Sequence, residues 1–380
     1  VSAQDPQRTE HVCSARRIVV KVGTNVLAGS ACPLDDDRVG HIVDQIADLR
    51  GSGRQIALVT SGAIGCGMAE LGLGTRPRNL PESQAAASVG QGALMACYAR
   101  HFRAHGLHAA QILLTHEDFD DRERYLNASN TIHALFEMPC VPVINENDSI
   151  STAEIRFGDN DRLAALVTHL VRAQLLVLLT SVPGLYATPP GPDGQAQIVD
   201  VVERIDESVE QLAYDETAPL GVGGMRSKIQ AARVATAAGE AAVIADGRKR
   251  DVLLRLMAGE TLGTLFLPAR GRLRRHKRWI RFTSRPRGTV YVDPGARAAL
   301  VERGKSLLAS GIVRASGQFG RGDVIRVCDA GGQEFARGLS NYAHDEVERI
   351  RGRRSEQIEA ILGYKYYDEV IHRDNLALLL

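Results

Sequence analysis

Short apolar runs alternate with amphipathic stretches through the first part of the chain, and each run breaks off in a turn of Gly, Ser, Thr, Asn or Asp. "RRIVVKVGTNVL", "RQIALVTSGAIG", "HAAQILLTHED", "CVPVINEND", "QLLVLLTSVPG" and "EAAVIADG" have the length and apolar density of buried strands that run into polar turns. The stretches between them have helical spacing. In "DRVGHIVDQIADLRGSG", for example, Val39, Ile42, Val43 and Ile46 fall on one face. Such alternation predicts an α/β fold, a mostly parallel sheet sandwiched by helices. Ligands of open parallel sheets bind outside the carboxyl ends of the strands, so each polar turn is a candidate piece of one site.

The pattern changes around residues 268–288, where "PARGRLRRHKRWIRFTSRPRG" is rich in Arg and carries the only Trp. Beyond it, short β-rich runs punctuated by Gly, such as "GTVYVDPGARAAL" and "SGIVRASGQFGRGDVIRVCDAGGQEFARGLSNY", predict a small β-barrel-like domain. A length of 380 residues also asks for two cores rather than one. The expected division is a disordered leader over 1–15, a first domain over 16–268, a linker over 269–286, a β-rich domain over 287–365 and a tail over 366–380. The leader has no apolar central segment and does not read as a signal peptide.

Charge divides the chain at the same place. From Arg270 onward 22 Lys and Arg face 13 Asp and Glu, a balance of +9, whereas residues 1–269 carry −8. The two domains are therefore expected to meet different surroundings. A hydrophobic share of 44% and a charged share of 24% are those of a soluble globular protein. The longest apolar run, "QLLVLLTSV" at 174–182, is far shorter than a membrane span. The six cysteines, at 13, 32, 66, 97, 140 and 328, show neither a C-x-x-C pair nor histidines at metal-site spacing. Reduced thiols in the cytoplasm, with no metal site built on cysteine and histidine, follow as expectations.

Three turns carry candidate chemistry. In "VVKVGTNVL", Lys21 and the backbone after it, Gly23 onward, can present an ammonium and N–H groups to an anion at the sheet edge, although a solvated lysine would look the same. "TSGAIGCG" at 60–67 lets a backbone approach a ligand closely, with Ser61 as a donor, or merely connects strand to helix. "GVGGMRSKIQAARVA" at 221–235 is a glycine loop opening a helix, which points unpaired N–H groups and the helix dipole at a phosphate, with Lys228 within reach. Familiar nucleotide signatures fail: "ERGKSLL" has Ala299 where a P-loop needs its first Gly, and "GVGGMR" has Arg226 where a dinucleotide fingerprint needs its last.

A fourth stretch, "NENDSISTAEIRFGDNDRLAAL" at 145–166, crowds Glu146, Asp148, Glu154, Asp159 and Asp161 among Asn145, Asn147 and Asn160. Such a set can bind a divalent metal, fix an ammonium group, or cap the helix that begins near Asp159 and Asn160.

In their order and spacing these motifs, with "THEDFDDRERYLNA", "LLTSVPGLY" and "EQIEAILGYKYYDEVIHRDNL", resemble the amino acid kinase family over nearly the whole chain. The C-terminal part looks like a PUA domain, a fold otherwise typical of RNA-modifying enzymes. The closest resemblance is to the members that phosphorylate the γ-carboxylate of L-glutamate with ATP and Mg²⁺, the first step of proline biosynthesis. That resemblance implies a cytoplasmic enzyme, inhibited by proline and assembled as a homodimer or homotetramer, with no membrane partner. It implies that Lys21 and Lys228 flank the transferring phosphoryl group and that Asp161 organises them. It places glutamate on Ser61, Asp148 and Asn160. ATP falls to Lys21, Gly23, Thr180, Ser181 and the loop Val222, Gly223, Gly224, Met225, Arg226, Ser227 and Lys228. No protein ligand of Mg²⁺ is implied. Two positions depart from the usual pattern, Ser181 for Asp and Val222 for Thr. The alternatives are a kinase of the same fold acting on another carboxylate, since fold does not fix substrate, and RNA binding by the basic C-terminal domain, for which a solvated basic surface or an oligomer contact is the plainer reading.

Overall fold

The computed structural model describes residues 5–29, 34–77, 79–151, 159–188, 197–213, 224–269, 286–365 and 367–379. The chain forms two compact units, Val1–Gly271 and Arg272–Leu380.

In the first unit the six apolar runs are strands: β1 Arg17–Val22, β2 Gln55–Val59, β3 His108–Leu114, β4 Cys140–Glu146, β5 Leu175–Thr180 and, after the short β6 Val201–Val202, β7 Ala241–Asp246. With β8 Thr264–Phe266 they make an eight-stranded sheet in the order β3-β4-β2-β1-β5-β7-β8-β6. It is parallel from β3 through β7, and β8 runs antiparallel to β7. The central strands are buried along nearly their whole length, which is why they read as continuous apolar runs rather than as alternation.

Helices cover the sheet. In α1, Asp36–Gly51, the Asp35 side chain caps the start by accepting from the N–H groups of Asp37 and Arg38, and Val39, Ile42, Val43 and Ile46 are all buried. The others used below are α2 Ala63–Glu70, α3 Leu80–Ala104, α4 Arg122–Phe136, α5 Asp159–Leu170 and α6 Met225–Ala237. Helices α2 and α3 touch backbone to backbone. A Cβ on Gly67 would lie 1.7 Å from the carbonyl oxygen of Ala86, and one on Gly90 would lie 1.9 Å from that of Ala63.

Within the expected disordered leader, the described residues 5–15 are ordered. Pro6–Arg8 is helical, Thr9–Cys13 continues as a π-helix, and Val12 is buried. The Arg8 guanidinium, 1% exposed, donates to the carbonyls of Leu262 (3.1 Å), Asp200 (3.1 Å) and Gly263 (3.0 Å), at the β6–β8 edge. One arginine bonded to three main-chain carbonyls leaves no hydrophobic period, so nothing in the sequence pattern marks it.

In the second unit β9 Gly288–Val292, β11 Ile312–Gly317, β12 Val324–Cys328, β13 Glu334–Leu339 and β15 Leu376–Leu378 form a sheet in the order β11-β9-β12-β13-β15. A second pair joins β10 Leu307–Leu308 to β14 Glu369–Ile371. Val290, Ile325, Val327, Phe335 and Tyr342 lie in its own core. The expected tail over 366–380 is thus part of this unit: β15 pairs with β13, and Val370, Ile371 and Leu376 are buried in the core. Strands of three residues are too short to show a period. Most of the expected linker, residues 270–285, lies outside the described residues.

Candidate active site

The parallel register delivers the candidate side chains to one edge. Lys21, next to last in β1, pairs with Val59 of β2 and Leu178 of β5, so Ser61 and Thr180 emerge from neighbouring strands at the same end. Asp148 lies in the turn that follows β4, and Asn160 and Asp161 lie in the first turn of α5. Gly224 is the N-cap of α6 and makes no side-chain cap, which leaves the helix start open, with Ser227 and Lys228 in its first turn.

Two of these elements meet through one carboxylate. Lys21 Nζ lies 2.6 Å from Asp161 Oδ1, and Lys228 Nζ lies 3.2 Å from Asp161 Oδ2. Ser227 Oγ donates to the same Oδ2 at 2.7 Å. Asp161 is fully buried, and each lysine is 6% exposed. Burial pushes the Asp161 carboxyl up, but Lys21, then Lys228, and the hydrogen bonds hold it at about 2, well below the ordinary 3.8. Burial lowers the pKa of Lys228, opposed by Asp161 and reinforced by Lys21. One anion therefore holds two cations side by side at the sheet edge, leaving a net positive charge in a dry place. That is an attractive site for a polyanion.

A polar network adjoins this triad. Asn160 Nδ2 donates to Ser61 Oγ (2.9 Å) and to Asn145 Oδ1 (3.2 Å). Asn160 Oδ1 and Asn145 Oδ1 both accept from the Glu146 N–H, at 3.3 and 2.9 Å. Asn145 Nδ2 in turn donates to Gln91 Oε1 of α3 at 2.9 Å. Ser151 Oγ donates to Glu146 Oε1 at 3.4 Å, so the buried Glu146 is tied to the loop that follows. The turn between β2 and α2 is made by Gly62 at φ +108°, a conformation that disfavours any side chain.

On the other side of the triad, Thr180 is buried at the end of β5, and its carbonyl accepts from the N–H of Gly247 at 2.9 Å. The carbonyl of Ser181 accepts from Arg248, whose guanidinium is held by Asp246 at 3.0 Å. Met225 is half-buried and Arg226 exposed at the start of α6, while Gly23 opens a short helix after β1.

Of the expected residues, Lys21, Asp161, Ser227, Lys228 and Gly224 come together around one carboxylate, and Ser61 and Asn160 bond directly. Val222 and Gly223 lie outside the described residues, as does Glu154. Sequence reasoning missed Gln91, Asn145 as a bridge, and Arg248. Asn145 stood in the acidic stretch but had no role, and Gln91 stands in a helix interior where an amide normally faces solvent.

One cluster of metal-ligand types lies elsewhere. Cys97 and His101, four residues apart on α3, face Asp36 of α1, with Cys97 Sγ 3.3 Å and His101 Nε2 2.9 Å from Asp36 Oδ1. The sequence reading passed over this spacing. The Arg100 guanidinium occupies the same carboxylate oxygen, so the group reads as an ion-pair network around Asp36 rather than a cation site.

A parallel sheet whose carboxyl edge gathers two lysines on one buried aspartate, beside an uncapped helix start, is suited to receive phosphate groups, as a phosphotransferase requires. The profile of the amino acid kinase family matches residues 16–246, and that of the PUA domain matches residues 288–362. Glutamate 5-kinase of Pelobacter propionicus is 46% identical over 372 residues, covering 98% of this chain and 100% of its own. That of Caldanaerobacter subterraneus is 48% identical over 363 residues (96% and 98%), and that of Syntrophotalea carbinolica is 48% identical over 369 residues (97% and 99%). The chain belongs to the glutamate 5-kinases of the amino acid kinase family, with a C-terminal PUA domain.

Proposed function

We infer that this chain transfers the γ-phosphoryl group of ATP to the γ-carboxylate of L-glutamate, giving γ-glutamyl phosphate and ADP. The observation that supports the reading most directly is the Lys21–Asp161–Lys228 triad, in a chain 46% identical over 372 residues to a glutamate 5-kinase. An anionic carboxylate must approach an anionic phosphate, and two unit charges 4 Å apart repel by about 4 kcal/mol even at an effective dielectric of 20. Lys21 and Lys228 offset that repulsion, and Asp161 fixes where they stand. Phosphoryl transfer has a loose transition state, so positioning and charge stabilisation supply most of the catalysis. No general base is needed, because the acceptor carboxylate is already ionised at neutral pH.

In this reading Ser61, Asn160 and Asp148 hold glutamate. Asp148 meets its α-ammonium, since a cation needs acceptors and the γ-carboxylate must stay free to react. Gly23, Thr180, Ser181 and the loop 222–228 hold ATP, mostly through main-chain groups, so Ser181 and Val222 need not disturb binding. Both oxygens of Asp161 are taken by Lys21, Lys228 and Ser227. Mg²⁺ therefore fits as an ion carried by the nucleotide phosphates and water, where it neutralises phosphate charge. The reading extends to a cytoplasmic enzyme at the head of proline synthesis, inhibited by proline and working as a homodimer or homotetramer. Among the described residues no helix is long and apolar enough to cross a membrane.

ADP release is the test, measured with L-glutamate, L-aspartate and N-acetyl-L-glutamate as acceptors. Turnover is expected with L-glutamate, and its absence there with turnover on another acceptor would overturn the substrate assignment.

A further inference from the structure

The polar network beside the triad ends in a donor with nothing to donate to. Gln91 is 9% exposed, and its Oε1 accepts from Asn145, but its Nε2 is buried with no hydrogen-bond partner among the described residues. The amide cannot satisfy itself by flipping. Asn145 Oδ1 already faces Asn160 Nδ2 and the Glu146 N–H, so Asn145 must present its Nδ2 to Gln91, and only the Gln91 oxygen can receive it. The orientation of Gln91 is thus set from the sheet edge, and its N–H groups are left over. A buried amide donor without an acceptor is costly, and such groups in folded proteins usually find a partner in a ligand or an ordered water.

The position of this donor in the chain of bonds shows which acceptor it suits. The network runs from Ser61 through Asn160 and Asn145 to Gln91. Asn160 adjoins Asp161 and the two lysines, where the reacting carboxylate has to lie. Gln91 stands at the far end, two amides removed from that point. It is held there on α3, whose backbone is seated directly on α2 at the neighbouring Gly90, so its main chain has little room to retreat. An amino acid with two carboxylates would bring its second, unreactive carboxylate to this end of the site.

We propose that Gln91 is a substrate-binding residue whose side-chain amide donates to the α-carboxylate of the bound amino acid and so selects acceptors that carry a charged group there. The assignment rests on the reading of the site as one for glutamate. It makes the Asn145–Gln91 pair a relay: the same Asn145 that aligns Asn160 for the reacting end also orients the donor for the other. Substrate length is then measured between two fixed points, the lysines and Gln91.

The test uses the full-length enzyme with Gln91→Glu and Gln91→Leu, assayed on L-glutamate and on its α-amide, in which the α-carboxylate is a neutral carboxamide. Gln91→Glu keeps the shape and the acceptor for Asn145 but replaces the donor by an oxygen, so it reports even if Gln91→Leu fails to fold. KM for L-glutamate is expected to rise about 10- to 100-fold in Gln91→Glu, with kcat and the KM for ATP nearly unchanged. The wild-type preference for glutamate over its α-amide is expected to shrink by a similar factor, because a carboxamide can donate to the new carboxylate. An unchanged KM for glutamate would overturn the proposal. So would an equal loss on both acceptors, which would mean that Gln91 only supports Asn145. If the wild type itself does not turn over glutamate, the glutamate reading fails instead, and the two failures are distinguishable.

Discussion

At the scale of single residues, the site depends on a balance among three charges. Removing either lysine leaves Asp161 with one cation in a dry position and removes half of the charge that would meet the phosphoryl group. Lys21→Ala and Lys228→Ala are each expected to lower kcat by about 10²- to 10³-fold, the range for losing one preorganised electrostatic group. Asp148→Ala is expected instead to raise the KM for glutamate with a smaller change in kcat, if, as proposed, it meets the end of the substrate that does not react. Initial rates with each substrate varied separate the two effects, and an unchanged KM in Asp148→Ala would remove that residue from the substrate. The balance also has a pH signature. The Asp161 carboxyl is held at about 2 in the folded chain against an ordinary 3.8, so its contribution to stability is complete above about pH 4 and fades as pH falls through 2. The gap in urea midpoint between wild type and Asp161→Asn should therefore be widest near neutrality and narrow on acidification from pH 4 to 2. A gap that stayed constant over that range would mean that Asp161 is not ionised through the triad.

At the scale of elements, the site is held by what the strands and helices do at their ends. The strands were legible because burial on both faces leaves a mark no turn can mimic: a continuous apolar run such as 175–179 that stops at Thr180. Lys21 and Lys228 were legible because a strand end and a glycine-opened helix are places where a cation has a physical reason to stand. Gln91 was not, because its partner Asn145 is 54 residues away and only the fold brings them within 2.9 Å. Arg8 was invisible for the same reason, its three carbonyl partners lying at least 192 residues off. The α2–α3 crossing shows how much rests on one atom. A methyl at position 90 would lie 1.9 Å from a carbonyl oxygen and 2.2 Å from the nitrogen of Gly67, both main-chain atoms that cannot turn aside. Gly90→Ala must push the helices apart, with an expected loss of about 1–3 kcal/mol of stability or more. Since Gln91 follows on the same turn, the KM for glutamate should rise as well. Denaturant melts and steady-state kinetics on one preparation check both, and a fully stable Gly90→Ala would show that the two helices pack less closely than this.

At the scale of the molecule, charge and core divide the chain in the same place. Every residue assigned to the reaction lies before Gly271, in a unit with its own apolar core, and the core of Arg272–Leu380 is built from a separate set of side chains. Two cores need not melt together, so calorimetry of the full chain is expected to resolve two transitions, of which ATP and glutamate raise only one. A chain ending at Gly271 should keep the triad, the asparagine network and Gln91, and with them turnover of glutamate. The same truncation removes a balance of +8, turning a nearly neutral protein into one of about −7. Any affinity for RNA in the full chain should then disappear with the second unit, and while present it should weaken steeply as salt is raised, as phosphate contacts by Arg and Lys require. If full-length protein binds no RNA even at low salt, the positive charge of the second unit serves solvation or contacts between copies of the chain. If instead the truncated chain folds but no longer phosphorylates glutamate, the second unit takes part in the reaction, and a site built from the first unit's residues alone is incomplete.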